Sequence, residues 1–323
     1  MGNITSFTSR HFNLEQLADG VYAAIHAEEG WAICNAGIID LGDRTLVFDS
    51  FMTPQAAIDL SRAAETLIGR PVHTLINSHP HNDHIWGNQA FGPDVDILSS
   101  TRTRELIITE GPVEIQSFRE VAQTRLDALE RQFSQADDEN ARYHLRIFII
   151  YYQAILAILP ILQIRLPNLT FKDDLFFSGP RRSARLIAFG GGHSGSDAIL
   201  HLPDDGIVFM SDLLFIGGHP YLLDGDPEMV MRILDEVRKL QASIFVPGHG
   251  PVGQAADLDW MDEYINTLNA LVHEARKRGT SADEIDKITM PGKYQHLIFP
   301  TLFPENLKYL YQKQIKSESR LSG

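Results

Sequence analysis

The chain has 323 residues, 44% of them hydrophobic and 22% charged, enough to bury a large core in one big domain or two ordinary ones. Its formal net charge of −14 disfavours a nucleic-acid backbone or an anionic membrane as the main partner. The single cysteine, Cys34, excludes an intramolecular disulfide and a thiolate metal cluster.

Cys34 lies in the strand-like run WAICNAGIIDL, where a buried small hydrophobe is its expected role. One cysteine fits a reducing compartment. The opening MGNITSFTSRHFNLEQ lacks a basic region followed by an apolar one, so a cytoplasmic location is expected. Met1-Gly2 with Ser6 matches a myristoylation pattern only superficially, without polybasic support, and is read as chance.

From residue 21 the runs VYAAIH, WAICNAGIIDL and TLVFD predict strands, with a turn at Gly42-Asp43. Thr53 before Pro54 predicts a helix start, Ala57, Leu60, Ala64 and Leu67 its apolar face, and Gly69 its stop. The next strand, VHTLINS, runs into His79-Pro80-His81-Asn82-Asp83-His84, completing a strand–helix–strand unit.

Residues 101–166 change character. Arg102–Glu110 and Val113–Gln135 predict two mixed polar helices. Asp138–Tyr152 begins a third, which turns apolar over Ile147–Ile164. That stretch is short for a membrane span and contains Gln153 and Pro160, so a buried or interface helix is expected and no membrane partner. The segment reads as a helical insertion between two halves of an α/β domain. It would serve as a lid or wall over a site, as core packing, or as a homodimer contact through Ile147–Ile164.

Strands resume with LTF, LFFSG, ARLIAFGG, AILHLP and GIVFMSD. Asp226-Pro227 caps a helix whose apolar face is Val230, Ile233, Leu234, Val237 and Leu240. The strand SIFVPG follows and ends on His249. Residues 256–323 read as a C-terminal helical extension, with helices over Leu258–Lys277 and Ala282–Lys287 and a Tyr-rich tail. No low-complexity linker divides the chain, so 1–323 is expected to be one domain.

Apolar runs end on metal-type residues at Asp49, His79, His193, Asp212 and His249. Loops leaving strand ends are the usual ligand edge of an α/β sheet. In an extended loop alternate residues project the same way, so His79 and His81 can share one ion while Asp83 and His84 turn toward a second. Imidazole with carboxylate at this spacing suits zinc.

HPHNDH resembles the His-x-His-x-Asp-His signature of the metallo-β-lactamase superfamily. Asp49 after an early strand, GGGHSGSD around His193, MSD at Asp212 and PGHG at His249 follow in the family's order. The resemblance covers most of residues 20–255 and implies a four-layer αβ/βα sandwich. It implies that His79, His81 and His193 bind one metal, that Asp83, His84 and His249 bind another, and that Asp212 bridges them. Asp49 would order the loop from behind the ligands, with a strand-end cap as its plainer role.

Two divalent ions are thus expected, zinc first, with iron or manganese as options. A shared hydroxide would be the nucleophile, with Asp83 or Asp212 orienting it and carrying a proton. Ser194 and Ser196 are expected to be loop hydroxyls.

The zinc β-lactamases of one subclass carry cysteine where this chain has Asp212, so β-lactam cleavage is not the default. The di-iron members' His-x-Glu pattern is missing, which argues against a redox role. The acidity argues against nuclease activity and a nucleic-acid partner. The basic residues of the tail form no pattern assignable to glutathione. The expected activity is hydrolysis of a small acyl compound, whether ester, lactone, thioester or cyclic amide. The alternatives are a β-lactamase-type or phosphodiesterase activity, or a non-catalytic metal-binding scaffold. Trp86, His219 and Tyr221 are expected at the substrate pocket, with Tyr221 donating to a carbonyl oxygen or tetrahedral intermediate.

Overall fold

Short β-rich runs punctuated by capped helices build two sheets from the two halves of the sequence. The computed structural model describes residues 7–321, and the Met1-Gly2/Ser6 pattern lies outside them. The first half forms an antiparallel meander of β1 (Phe12–Ala18), β2 (Val21–His26), β3 (Ala36–Asp40) and β4 (Thr45–Phe48). After α1 (Pro54–Ile68) come β5 (Val72–Ile76), the single turn α2 (Asn82–Ile85) and β6 (Asp96–Ser100). Two long helices, α3 (Thr101–Gln135) and α4 (Glu139–Ile158), then precede β7 (Leu169–Phe171). β4, β5, β6 and β7 pair in parallel and complete a seven-stranded sheet in sequence order.

The second half repeats the plan. The strands β8 (Asp174–Ser178), β9 (Ser183–Phe189), β10 (Asp197–Leu202) and β11 (Ile207–Phe215) form an antiparallel meander. After α5 (Pro227–Arg238), β12 (Ile244–His249) joins β11 in parallel to give a five-stranded sheet. The helices α6 (Ala255–Lys277) and α7 (Leu302–Leu321) close the fold.

Burial on both faces explains the continuously apolar strands. Ile39, Leu46, Phe48 and Ile76 of the first sheet meet Leu186, Leu200, Phe209 and Val246 of the second, with the Phe48 and Phe209 rings 5.9 Å apart. Each such side chain contributes roughly 1.5–3 kcal/mol. On the outer face of the first sheet, Ala56, Ala57, Leu60 and Ala64 of α1 cover Val47, Leu75 and Ile97. On the outer face of the second, α5, α6 and α7 cover Val208, Met210 and Phe245. The result is the expected four-layer αβ/βα sandwich. The Thr53 hydroxyl caps α1, and Gly69 ends it in the left-handed region at φ 79°.

Four local expectations change. β1 was not expected; it is an edge strand with only Phe12 buried, so its alternation is weak. Of WAICNAGIIDL only Ala36–Asp40 is a strand, because Ile33 turns the chain at φ 73°. α3 runs through Gly111-Pro112 as one helix rather than two; the proline lies on a turn where Ile108 is exposed, so water can reach the carbonyl that loses its partner. Ala282–Lys287 shortens to a 3₁₀ turn at Ile285–Lys287.

Between residues 101 and 166 the apolar stretch is buried only in part. Ala154, Ile155, Ile158 and Leu159 pack with Ile107 and Ile115 over Met52, Ile85 and Trp86, leaving Ile161 exposed. Among the described residues no helix is long and apolar enough to cross a membrane.

Candidate metal centre

The parallel pairs β4–β5 and β11–β12 point their carboxyl ends to one edge of the sandwich. Asp49 follows β4, the His79–His84 loop follows β5, Asp212 sits in β11 and His249 ends β12. His193 lies on the loop between β9 and β10. The seven proposed ligands, drawn from four separate stretches of sequence, thereby meet in one place with Asp49 behind them.

Asp212 is at their middle. Its Oδ1 is 3.1 Å from His84 Nε2, and its Oδ2 is 3.2 Å from His193 Nε2 and 3.4 Å from His249 Nε2. His79 Nε2 is 3.9 Å from Oδ2. Asp83 Oδ2 lies 3.4 Å from His249 Nε2 and 3.6 Å from His84 Nε2. His81 Nδ1 faces His193 Nε2 at 2.9 Å. Donor atoms of His79, His81, His193 and Asp212 lie within 4.8 Å of one another, as do those of His84, Asp212 and His249.

The residues fit divalent cations. His79 Nε2, His84 Nε2 and Asp212 Oδ1 are buried without a hydrogen-bond partner. Orphaned polar atoms are costly, and three aimed into one space mark a group that would satisfy them. Burial, stronger than the pull of Asp212, lowers His193 to about 3 and leaves it neutral. Burial and the neighbouring histidines likewise lower His79. Neutral imidazole is the ligand form. Burial opposes charge on His249, yet Asp212 and Asp83 outweigh it and raise it to about 9 in the metal-free chain. Burial disfavours the Asp212 anion too, but His249, His84 and His193 hold it well below the usual carboxylate range.

Behind these groups the His81, His84 and His193 rings are tied from their far sides. Asp49, at φ 62° just after β4, accepts from His84 Nδ1 at 2.8 Å, from Ser78 N–H and Oγ at 2.8 Å, and from Ser211 Oγ at 3.0 Å. That exceeds a strand-end cap. His193 Nδ1 donates to the Tyr221 carbonyl at 3.0 Å, and His81 Nε2 to Asp224 Oδ2 at 3.1 Å. Gly248 lets β12 pass against Asp212: a Cβ there would stand 1.8 Å from Oδ1.

Two expected pocket residues are enclosed instead. Trp86 packs edge-on to Phe118 at 5.7 Å beneath α3 and α4. His219 bonds Tyr264 Oη through Nδ1 at 2.7 Å under the C-terminal helices, and burial lowers it to about 4. Adjacency in sequence to a ligand misled here, because the chain turns inward on both sides of the site. The Tyr221 ring stays at the mouth, 6.0 Å from the His81 and His193 rings. Ser194 and Ser196 are loop hydroxyls; Ser194 Oγ bonds Asp197 Oδ1 and Ser196 Oγ bonds Ser100 Oγ.

Sequence reading missed several neighbours. Asp224 has no motif around it. Asn35 joins the halves, its Nδ2 donating to the carbonyls of Pro247 and Gly250 at 2.9 and 2.8 Å. Asn82 donates to Glu114 Oε1 at 2.9 Å and meets Tyr151 Oη at 3.3 Å, so α3 and α4 are tied to the histidine loop. Burial raises Glu114 to about 7. Cys34 is buried as expected, but among polar groups: its thiol donates to the Asp83 carbonyl at 2.9 Å.

A family model of the metallo-beta-lactamase superfamily matches residues 30–249. The fold resembles a metallo-beta-lactamase from Pontibacter korlensis (TM-score 0.57, 15% identity, covering 79% of this chain and 99% of that one). It also resembles a metallo beta lactamase from Erythrobacter litoralis, with beta mercaptoethanol in its active site (0.57, 16%, 81% and 99%). A third likeness is FIM-1 from Pseudomonas aeruginosa in its mono-zinc form (0.57, 13%, 79% and 95%). At these identities the structures speak for the fold alone. No curated protein matches the sequence. The family match spans more than half of the chain and includes the whole constellation around Asp212, so the chain belongs to the metallo-beta-lactamase superfamily.

Proposed function

We propose that this protein is a hydrolase that uses two divalent cations, zinc in the first instance, on a small acyl substrate. The carrying observation is the set of three buried, unpartnered donors, His79 Nε2, His84 Nε2 and Asp212 Oδ1, within one seven-residue cluster. His79, His81 and His193 would hold one ion, Asp83, His84 and His249 the other, and Asp212 both. Bound there, such ions supply Lewis acidity toward a carbonyl oxygen and acidify water.

The remaining work falls to the chain. Asp49, Asp224 and the Tyr221 carbonyl occupy the outer nitrogens of His84, His81 and His193, which fixes each tautomer and turns a lone pair inward. Asp83 Oδ2 is positioned to orient attacking water and to take up a proton that later goes to the leaving group. Tyr221 Oη at the mouth would donate to the substrate carbonyl oxygen. α3 and α4 meet the histidine loop through Asn82, and as a wall there they would favour compact substrates. The net charge favours such a compound over a nucleic acid. The one cysteine is compatible with work in a reducing cytoplasm.

Metal analysis of active protein should find two ions per chain, and a panel of esters, lactones, thioesters, a cephalosporin and a phosphodiester should identify the bond cleaved. His81→Ala should abolish turnover and leave the fold intact. Less than one zinc, iron or manganese per chain in active material would overturn this reading.

A further inference from the structure

Cys34 is a nucleophilic side chain buried beside the cluster that the proposed chemistry leaves unused. It precedes Asn35, the residue that bonds across to the His249 loop. Its Sγ, a carboxylate oxygen of Asp83 and a ring nitrogen of His84 lie within 4.8 Å of one another. Cys34 and His84 are both fully buried. His84 Nε2 and Asp212 Oδ1, 3.1 Å apart, are both buried without a hydrogen-bond partner. Three donors of different hardness therefore stand together beside two buried polar atoms that lack a hydrogen-bond partner.

We infer that Cys34 is a further ligand of the cation held by Asp83, His84 and His249, making that half of the centre a mixed sulfur, nitrogen and oxygen site. The inference rests on the two-cation reading above. On ligation the S–H bond breaks, a sulfur–metal bond forms, and the proton leaves to solvent. The hydrogen bond to the Asp83 carbonyl is given up in exchange. A divalent cation alongside deprotonates a coordinating thiol. One soft donor would tilt this half toward zinc or cadmium over manganese, whereas the His79, His81 and His193 half keeps ordinary imidazole preferences.

Cobalt(II) is the probe. Cobalt bound by nitrogen and oxygen gives weak visible bands; cobalt bound by thiolate adds an intense near-ultraviolet charge-transfer band. Because the chain has a single cysteine, such a band in the folded protein is assigned without ambiguity. The expected result is visible bands at both equivalents and the near-ultraviolet band at only one of them. Cys34→Ser should lose that band, keep visible bands, and bind the corresponding zinc at least about tenfold more weakly.

Visible bands without charge transfer in the unaltered protein would overturn the inference and leave Cys34 a buried donor to the Asp83 carbonyl. Absence of all cobalt bands would overturn the two-cation reading with it. The unaltered protein decides the matter even if Cys34→Ser does not fold, and cadmium NMR of the cadmium-loaded chain is an independent check: one of two resonances should show the downfield shift of sulfur ligation.

Discussion

Gly248→Ala tests the geometry of the centre without replacing any proposed ligand. The added Cβ would stand 1.8 Å from Asp212 Oδ1 and 2.8–2.9 Å from the backbone of Ser211 and Asp212. Real Cβ contacts stay beyond 3.0 Å, so the carboxylate must retreat by at least about 1.2 Å unless β12 itself moves. Metal–ligand distances tolerate roughly 0.2 Å, so the displacement is several times what a coordination shell absorbs. Since Asp212 faces both ligand groups, both affinities should fall. Altering a supporting residue typically costs about 10–100-fold, and this displaced shared ligand should reach or exceed the upper figure. The apo fold should lose only about 1–3 kcal/mol, the usual cost of one overpacked methyl. The assay is paired: zinc retained after dialysis, and thermal melts with and without added zinc. The unaltered protein should melt higher with zinc; the variant should melt nearly as in apo form either way. A variant that keeps two ions at unaltered affinity would refute the placement of Asp212 against β12.

Asp224→Ala removes the partner of His81 Nε2, and the ring should lose its fixed orientation. Because Asp224 is half exposed, zinc affinity measured against a competing chelator should drop by about tenfold, the low end for such partners; an unchanged affinity would deny it an orienting role. His219 concerns stability and pH. Its pKa is lowered to about 4, so the unfolded chain takes up this proton first on acidification. Its contribution is complete above about pH 6.5 and is lost as pH falls toward 4. His219→Gln, which can still accept from Tyr264, should therefore show a smaller drop in urea midpoint between about pH 7 and pH 5 than the unaltered apo protein; an equal drop counts against a neutral buried imidazole.

How much of this is legible in the sequence depends on locality. The His79–His84 loop can be read because its donors are contiguous and follow an apolar strand. Asp212 and His249 can be read because each ends or interrupts a strand of the same kind. α1 and α5 announce themselves by a cap and a proline. Asp224 and Asn35 are illegible: each acts through contacts with residues over a hundred positions away, and nothing in its own neighbourhood marks it. Trp86 shows the opposite failure, since two residues past His84 the chain has already turned under α3 and α4. Glu114 and Tyr151 sit on helices whose periodicity speaks only of packing, so their meeting at Asn82 required the three-dimensional arrangement.

The donors are divided between the sheets, four in the loop after β5 and three on the strands and loops of the second half. A nascent chain cannot complete the first set before residue 212, nor the second before residue 249, has left the ribosome, so cation capture would report that both halves have been made and docked. On the two-cation reading, the ions would act as clamps across the seam, adding about 4 kcal/mol each at a free concentration a thousandfold above Kd. Chelation should then loosen the seam before either sheet melts, exposing the junction at Asn35 to proteases that spare the loaded protein.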